Sequence, residues 1–269
     1  MNDTFTKEEL IKKFKEISNE WIMNNRPGND GGVGNTLEDL LGIEENNLPI
    51  ANAADWELKS HRANSKSRIT GIHKEAAPLG NKTVSVVLLP NYGWKHKEAG
   101  KKYPEDEMSF RVTLKSTFNE RGFRIKVNRE EKRLEMEFDS TKVEPEHKAW
   151  LDDVIRKVGP GNIDPIPYWG FKDLEHKIGG KLKNCFFVVA DVKKVDGVEY
   201  YRYNKVLMLK DFSFEKFLEN VEKGKVVIEF DARTRHNHGT KFRWEKSVIP
   251  DLYEEAIVVI DEEGSAILA

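Results

Sequence analysis

From Ala54 to Arg62 the segment "ADWELKSHR" alternates strictly, and that pattern reads as a strand with two unlike faces. Asp55, Glu57, Lys59 and His61 share one face, while Trp56 and Leu58 point the other way and read as core. Same-face neighbours on a strand stand roughly 7 Å apart, close enough for two carboxylates to converge on one hydrated cation. Taken alone, the ordinary alternative is an exposed amphipathic strand with incidental ion pairs.

Around this strand the chain alternates helix and strand signals. Lys7 to Met23 carries Leu10, Phe14, Ile17 and Trp21 at helical spacing. A glycine-rich turn, "RPGNDGGVGN", follows, and Thr36 offers an N-cap to a short helix through Leu37, Leu40 and Leu41 that Gly42 can close. "TVSVVLLP" and "SFRVTL" read as strands, and "GFRIKVNREEKRLEMEF" as a hairpin turning near Asn128 to Glu131. A helix ends at Gly159, and Pro160, Pro165 and Pro167 stop any regular element after it, which sets a soft lobe boundary at about 158/159. Beyond lie a helix around Leu174 to Lys181, a buried strand "CFFVVADV" paired across the Gly197 turn with "VEYYRYNKVLML", a helix from Ser213 to Lys223, and "KVVIEFDARTR". The expectation is an α/β (α+β) chain with two lobes.

Composition removes several classes. With 38% hydrophobic and 33% charged residues and no apolar run near the roughly 20 a bilayer span needs, no membrane crossing is expected. The N-terminal residues lack the apolar core of a signal peptide, so a cytoplasmic protein is expected. Cys185 is the sole cysteine, which excludes an internal disulfide and a cysteine zinc cluster and reads as a core thiol. The net charge of −2 names no partner, but its distribution is uneven. Met1 to Glu57 holds 5 basic and 12 acidic residues, whereas Lys59 to Lys102 holds 10 and 2. Carboxylates beside a phosphate-attracting surface suit metal-assisted chemistry on a polyanion.

Carboxylate oxygens are the hard ligands Mg²⁺ prefers, and a neighbouring lysine can orient water or offset charge on the phosphorane. The acidic strand therefore has the make-up of a metal-dependent phosphodiesterase. "GGVGNT" lacks the Lys-Ser/Thr of a nucleotide-binding loop and follows no strand, so it reads as a tight connection or a close approach to phosphate. "DARTRHNHGTKFR" gathers Arg233, Arg235, His236, His238, Lys241 and Arg243, donors suited to guanine edges in the major groove. Its histidines lack partners at zinc-ligand spacing. Lys66, Arg68, Lys95, Lys97, Lys101 and Lys102 suit phosphate contacts, and Arg62 joins the residues expected on DNA.

The run "GNDGGVGNTLEDLLGIEENNLPIANAADWELKSHR", with "EYYRYN" and "HNHGTKFRW", resembles the MvaI/BcnI family of type II restriction endonucleases, relatives of the MutH nicking enzyme. The likeness touches most of the chain and is loosest from about Asn64 to Phe110. It implies a PD-(D/E)XK core, a mixed sheet flanked by helices, with two lobes forming a DNA cleft: residues 1–158 catalytic and 159–269 for recognition. By position Glu38 matches the supporting helix carboxylate, and Glu57 and Lys59 the E-x-K pair. The family's preceding aspartate falls near Asn52, a neutral and poorer Mg²⁺ ligand, so Asp55, on the Glu57 face, is the favoured replacement.

The resemblance implies a Mg²⁺-dependent enzyme that hydrolyses double-stranded DNA at a short G·C-rich site of the CCNGG kind. It also implies a monomer that nicks one strand at a time, with a DNA methyltransferase in the host but not in a stable complex. His238 and Arg243 are the leading base readers. Two other readings compete: a MutH-like repair nickase, and a DNA-binding protein whose nuclease site has degenerated at Asn52.

Overall fold

The computed structural model describes residues 5–28, 31–43 and 56–267. Asn52 and Asp55 lie outside the described residues. The chain forms two compact units, and each is assembled from separated stretches. One holds Met1–Ile69, Lys177–Phe214 and Lys246–Ala269; the other holds Thr70–His176 and Glu215–Glu245. The division is thus not a single cut near 158/159. The chain leaves the first unit after the acidic strand and returns to it for the central hairpin.

In the first unit, strands run in the order Ile22–Met23, Val198–Phe212, Asn184–Val195, Trp56–Arg62, and Tyr253–Ile260 also pairs with Val198–Phe212. The long hairpin turns on Asp196 and Gly197, both at positive φ (50° and 84°), the conformation that a two-residue Asp-Gly turn adopts. The acidic strand lies parallel to Asn184–Val195, with Glu57 opposite Cys185 and Lys59 opposite Phe187. Its other face, Trp56 and Leu58, enters a core with Leu10, Phe14, Leu37, Phe186, Val188, Tyr201 and Tyr203. That core fixes which face of the strand carries Glu57.

The helices over this core differ in extent from the sequence reading. Lys7–Ile17 begins with a capping box between Thr6 and Glu9 and buries Leu10 and Phe14, but stops before Trp21. Trp21 instead lies on the surface, 36% exposed, with Lys193 4.3 Å over its ring. The second helix starts at Gly32, not at Thr36; Gly31 caps it, and Gly42 closes it at φ 69°. Thr36 sits inside it and donates to Asn25 Oδ1 at 2.9 Å. The glycine loop supplies the first turn because a Cβ on Gly32 would stand 2.9 Å from the Tyr201 hydroxyl.

The second unit has a sheet ordered Ile69–His73, Lys241–Trp244, Val226–Arg233, Met108–Leu114, Trp94–Lys95, with His236–Asn237 folded back on Val226–Arg233. A three-stranded sheet of Arg121–Asn128, Arg133–Val143 and Tyr168–Gly170 accompanies it. Phe110, Phe123, Trp169, Phe230 and Phe242 are buried at its core. "TVSVVLLP", read as a strand, is a π-helical turn Thr83–Leu88 running into helix Leu89–Tyr92. Thr83, Val84, Val87 and Leu88 are its buried residues, a spacing of three and four that outweighs the β-branched preference for strands. No helix among the described residues is long and apolar enough to cross a membrane.

Candidate functional site

Glu57 is buried, 1% exposed. Burying a carboxylate is costly unless cations and donors compensate, and here the compensation is lopsided. Oε1 accepts from Lys59 Nζ at 2.5 Å and faces Lys181 Nζ at 3.7 Å. Oε2 is buried and has no hydrogen-bond partner among the described residues. Lys59 follows from the alternation of the strand. Lys181, from the last turn of helix Phe171–Leu182, does not.

Beneath the carboxylate the floor is neutral. Burial, then the neighbouring Glu57 charge, push the Cys185 thiol up to about 12, although Lys59 pulls the other way. Tyr253 shares a hydrogen bond with that thiol and is itself raised well above 10, chiefly by burial, with Cys185 and Glu57 adding to it. Neither group ionises near neutral pH, so Cys185 is no nucleophile. His61, expected on the reacting face, is buried between backbone carbonyls: Nδ1 is 2.8 Å from Arg62 O and Nε2 2.9 Å from Ser67 O.

Glu38 sits near the C-terminal end of helix Gly32–Leu41, with a half-buried side chain. Among the described residues no three His, Cys, Asp or Glu side chains gather as a metal-binding group. The metal test therefore rests on Glu57: an acceptor oxygen without a donor among the described residues, beside a lysine, fits a hard divalent cation. Arg62 is drawn inward, donating to Glu199 at 3.1 Å and to the Tyr201 hydroxyl at 3.2 Å. Lys66 is exposed and Arg68 half-buried.

The basic motif belongs to the other unit and surrounds a concavity of about 220 Å³ lined by His96, Tyr103, Arg111, Asp231, His236 and His238 among others. Strand Val226–Arg233 turns through Arg235, at φ 60°, into His236–Asn237. The two histidines meet with Nε2 atoms 3.1 Å apart, both exposed. Arg233 Nη1 donates to the buried Glu107 at 2.9 Å, its guanidinium 4.6 Å over Tyr103. Arg243 Nη1 donates to Glu229 at 2.7 Å. Lys241 is half-buried on the same strand as Arg243, whereas Arg235, Lys97, Lys101 and Lys102 are exposed, and Lys95 pairs with Glu105.

Sequence reasoning found the arginines but not their carboxylates. Glu107, Glu229 and Glu75, which grips Thr240, lie far from them along the chain or across a strand pair. Only the cross-strand register, such as Glu229 opposite Lys241 beside Arg243, brings them together.

Residues 11–253 match the model of the MvaI/BcnI restriction endonuclease family. Among solved structures the chain is similar to a restriction endonuclease MvaI–cognate DNA substrate complex, with a TM-score of 0.73 and 21% identity over 95% of this chain and 100% of that one. It is also similar to restriction endonuclease MvaI in the absence of DNA, with a TM-score of 0.53 and 22% identity over 97% and 99%. A search of curated proteins finds no match.

Proposed function

The chain belongs to the MvaI/BcnI restriction endonuclease family and is a site-specific deoxyribonuclease; from that premise we propose that it hydrolyses double-stranded DNA with Mg²⁺ at a short G·C-rich site of the CCNGG kind. The observation that supports this reading most is the buried Oε2 of Glu57, without a hydrogen-bond partner among the described residues and beside Lys59. Glu57 would hold the ion with Asp55, and Glu38 would support it from the neighbouring helix. Asn52 is the weaker candidate, since an amide carbonyl carries no charge. Bound Mg²⁺ supplies Lewis-acid polarisation of the phosphate and a more acidic water.

The protein's own groups do the rest. Lys59, an ammonium in contact with Glu57, donates to the attacking water or to the non-bridging phosphate oxygens as negative charge builds on them. Water adds across one P–O bond, leaving a phosphate monoester and a hydroxyl. Cys185 and Tyr253 stay protonated and give the carboxylate a neutral backing.

Sequence reading falls to the His236–Arg243 segment. His236, His238 and Arg235 are exposed donors. Arg233 and Arg243 are buttressed by Glu107 and Glu229, which fix the fork of each guanidinium for a bidentate guanine contact. Lys241 flanks them, and Lys66, Arg68 and Lys101 suit phosphates. We further propose that the enzyme acts as a monomer in a host that protects the site with a methyltransferase.

Plasmid DNA incubated with Mg²⁺ and with a chelator tests the reading. Discrete fragments whose ends share one short sequence, lost on chelation, are expected. Binding without cleavage, or nicking only with a partner protein, would overturn it.

A further inference from the structure

Glu57 is approached by two ammonium groups where the E-x-K motif calls for one. Lys59 and Lys181 both face Oε1, at 2.5 Å and 3.7 Å, and their side chains are only 23% and 24% exposed. A lysine in the last turn of a helix is favoured by the helix dipole, but that preference is met equally well in solvent. Lys181 is instead turned toward a carboxylate that Lys59 already pairs. Lys59 already balances Glu57, so Lys181 adds a positive charge against which the carboxylates proposed to join Glu57 at the ion, Asp55 and Glu38, must work, and Cys185 and Tyr253, held neutral, contribute no negative charge. Among the described residues Oε2, the oxygen suited to a cation, is thus left open on a carboxylate whose other oxygen faces two ammonium groups.

We infer that Lys181 is a positioning residue that weakens the hold on a divalent cation at Glu57 while DNA is absent, and that a phosphate diester, by bringing negative charge beside Lys181, lifts that opposition. The inference rests on the metal reading of Glu57 given above. It couples metal loading to substrate: a diester contributes one negative charge, which offsets that of Lys181 before the ion arrives. An unloaded enzyme then carries no activated water to spend on chance contacts. A unit charge about 6 Å from a divalent ion changes its affinity roughly tenfold even at water-like screening, so the effect is large enough to measure.

Calorimetric titration of Ca²⁺ into the full-length protein, without DNA and with a duplex carrying the cleavage site, tests this. Lys181→Gln is expected to bind Ca²⁺ roughly tenfold more tightly than the wild type without DNA, and the difference should shrink with DNA present. Lys181→Arg, which keeps the charge, should behave as the wild type. Lys181→Met preserves the packing of the stem and serves if the glutamine variant does not fold. Equal, weaker or undetectable Ca²⁺ binding by both neutral variants overturns the inference. Glu57→Gln separates the two layers of argument: if wild-type Ca²⁺ binding survives that change, the metal reading itself fails, whereas if it is lost and the Lys181 variants bind like wild type, only the role of Lys181 fails.

Discussion

Glu75 grips Thr240 with both carboxylate oxygens: Oε1 accepts the backbone N–H and Oε2 the hydroxyl, each at 2.8 Å. Thr240 is fully buried and follows Gly239, which sits at φ 78° where a Cβ would come within 3.2 Å of Glu75 Oε1. The clamp anchors one end of the His236–Thr240 segment, and His238 N, bonded to Asp231 O at 3.0 Å, anchors its middle. Charge-assisted hydrogen bonds contribute about 1.5–3 kcal/mol each. Glu75→Gln keeps the shape but replaces one acceptor with a donor, so the segment should loosen. The expected result is a several-fold drop in the ratio of cognate to scrambled duplex binding, with overall stability lowered by roughly 1–3 kcal/mol. An unchanged ratio in competition binding would detach the clamp from sequence reading.

The catalytic assignment predicts a separation of binding from cleavage. Glu57→Ala removes the open oxygen and Lys59→Ala removes its ammonium partner, so each should reduce cleavage to background while duplex binding in Ca²⁺ persists. Because Glu57→Ala also leaves two half-buried ammonium groups without their carboxylate, thermal unfolding must accompany the assay. A folded variant of either kind that cuts at a near-normal rate removes this strand from the chemistry.

Asp55 and Asn52 divide on charge. If Asp55 holds the ion, Asp55→Asn should abolish cleavage and Asn52→Ala should be mild. If Asn52 marks a weakened site, Asn52→Asp should raise the rate in single-turnover assays. An active Asp55→Asn enzyme rejects Asp55 as the replacement carboxylate.

The strands and helices that could be read from the sequence were those whose signal is local. The Asp196-Gly197 turn, the hairpin turn near Asn128 to Glu131 and the helix stop at Gly159 each state their geometry in a few neighbouring residues. "TVSVVLLP" misled because valine counts toward strand by propensity while the spacing of its buried residues is helical. At the site, Glu57 and Lys59 were visible because alternation fixes their common face. Lys181, Glu75, Glu107 and Glu229 were invisible: each acts through a partner set by tertiary packing or sheet register, and nothing in its neighbouring residues marks it.

Cys185 gives a pH prediction. Its thiol is raised to about 12 in the folded protein, whereas in the unfolded chain it ionises near its ordinary value of roughly 8.5. The folded state therefore keeps a proton that the unfolded state loses. Stability from this group is fully present below about pH 8.5 and declines as pH rises toward 12, by up to about 1.4 kcal/mol per pH unit. Tyr253, raised well above 10, adds to the decline at the alkaline end. Denaturant unfolding at pH 8, 9, 10 and 11 should show falling stability, with a shallower slope for Cys185→Ala. Identical slopes for the two proteins would mean that the thiol ionises alike in both states.

The pairing of Arg243 with Glu229 makes the last prediction, because it distinguishes a buttressed reader from a mere structural ion pair. A bidentate arginine at guanine contributes roughly 1–3 kcal/mol of discrimination, so losing it should relax specificity, whereas losing a phosphate contact weakens all sequences alike. Arg243→Ala and His238→Ala should both lower the cognate-to-scrambled ratio at fixed salt. Lys101→Ala, an exposed cation, should lower affinity for both duplexes and flatten the salt dependence. If Glu229 acts only by orienting Arg243, Glu229→Gln should reproduce part of the specificity loss, and the double variant should lose no more than Arg243→Ala alone. Binding over a salt series with both duplexes, for the four single variants and the Arg243/Glu229 double, reads all of these at once. Equal losses on both duplexes for Arg243→Ala, with stability falling in step, would make the Arg243–Glu229 pair a brace between strands Lys241–Trp244 and Val226–Arg233 and leave reading to His236, His238 and Arg235.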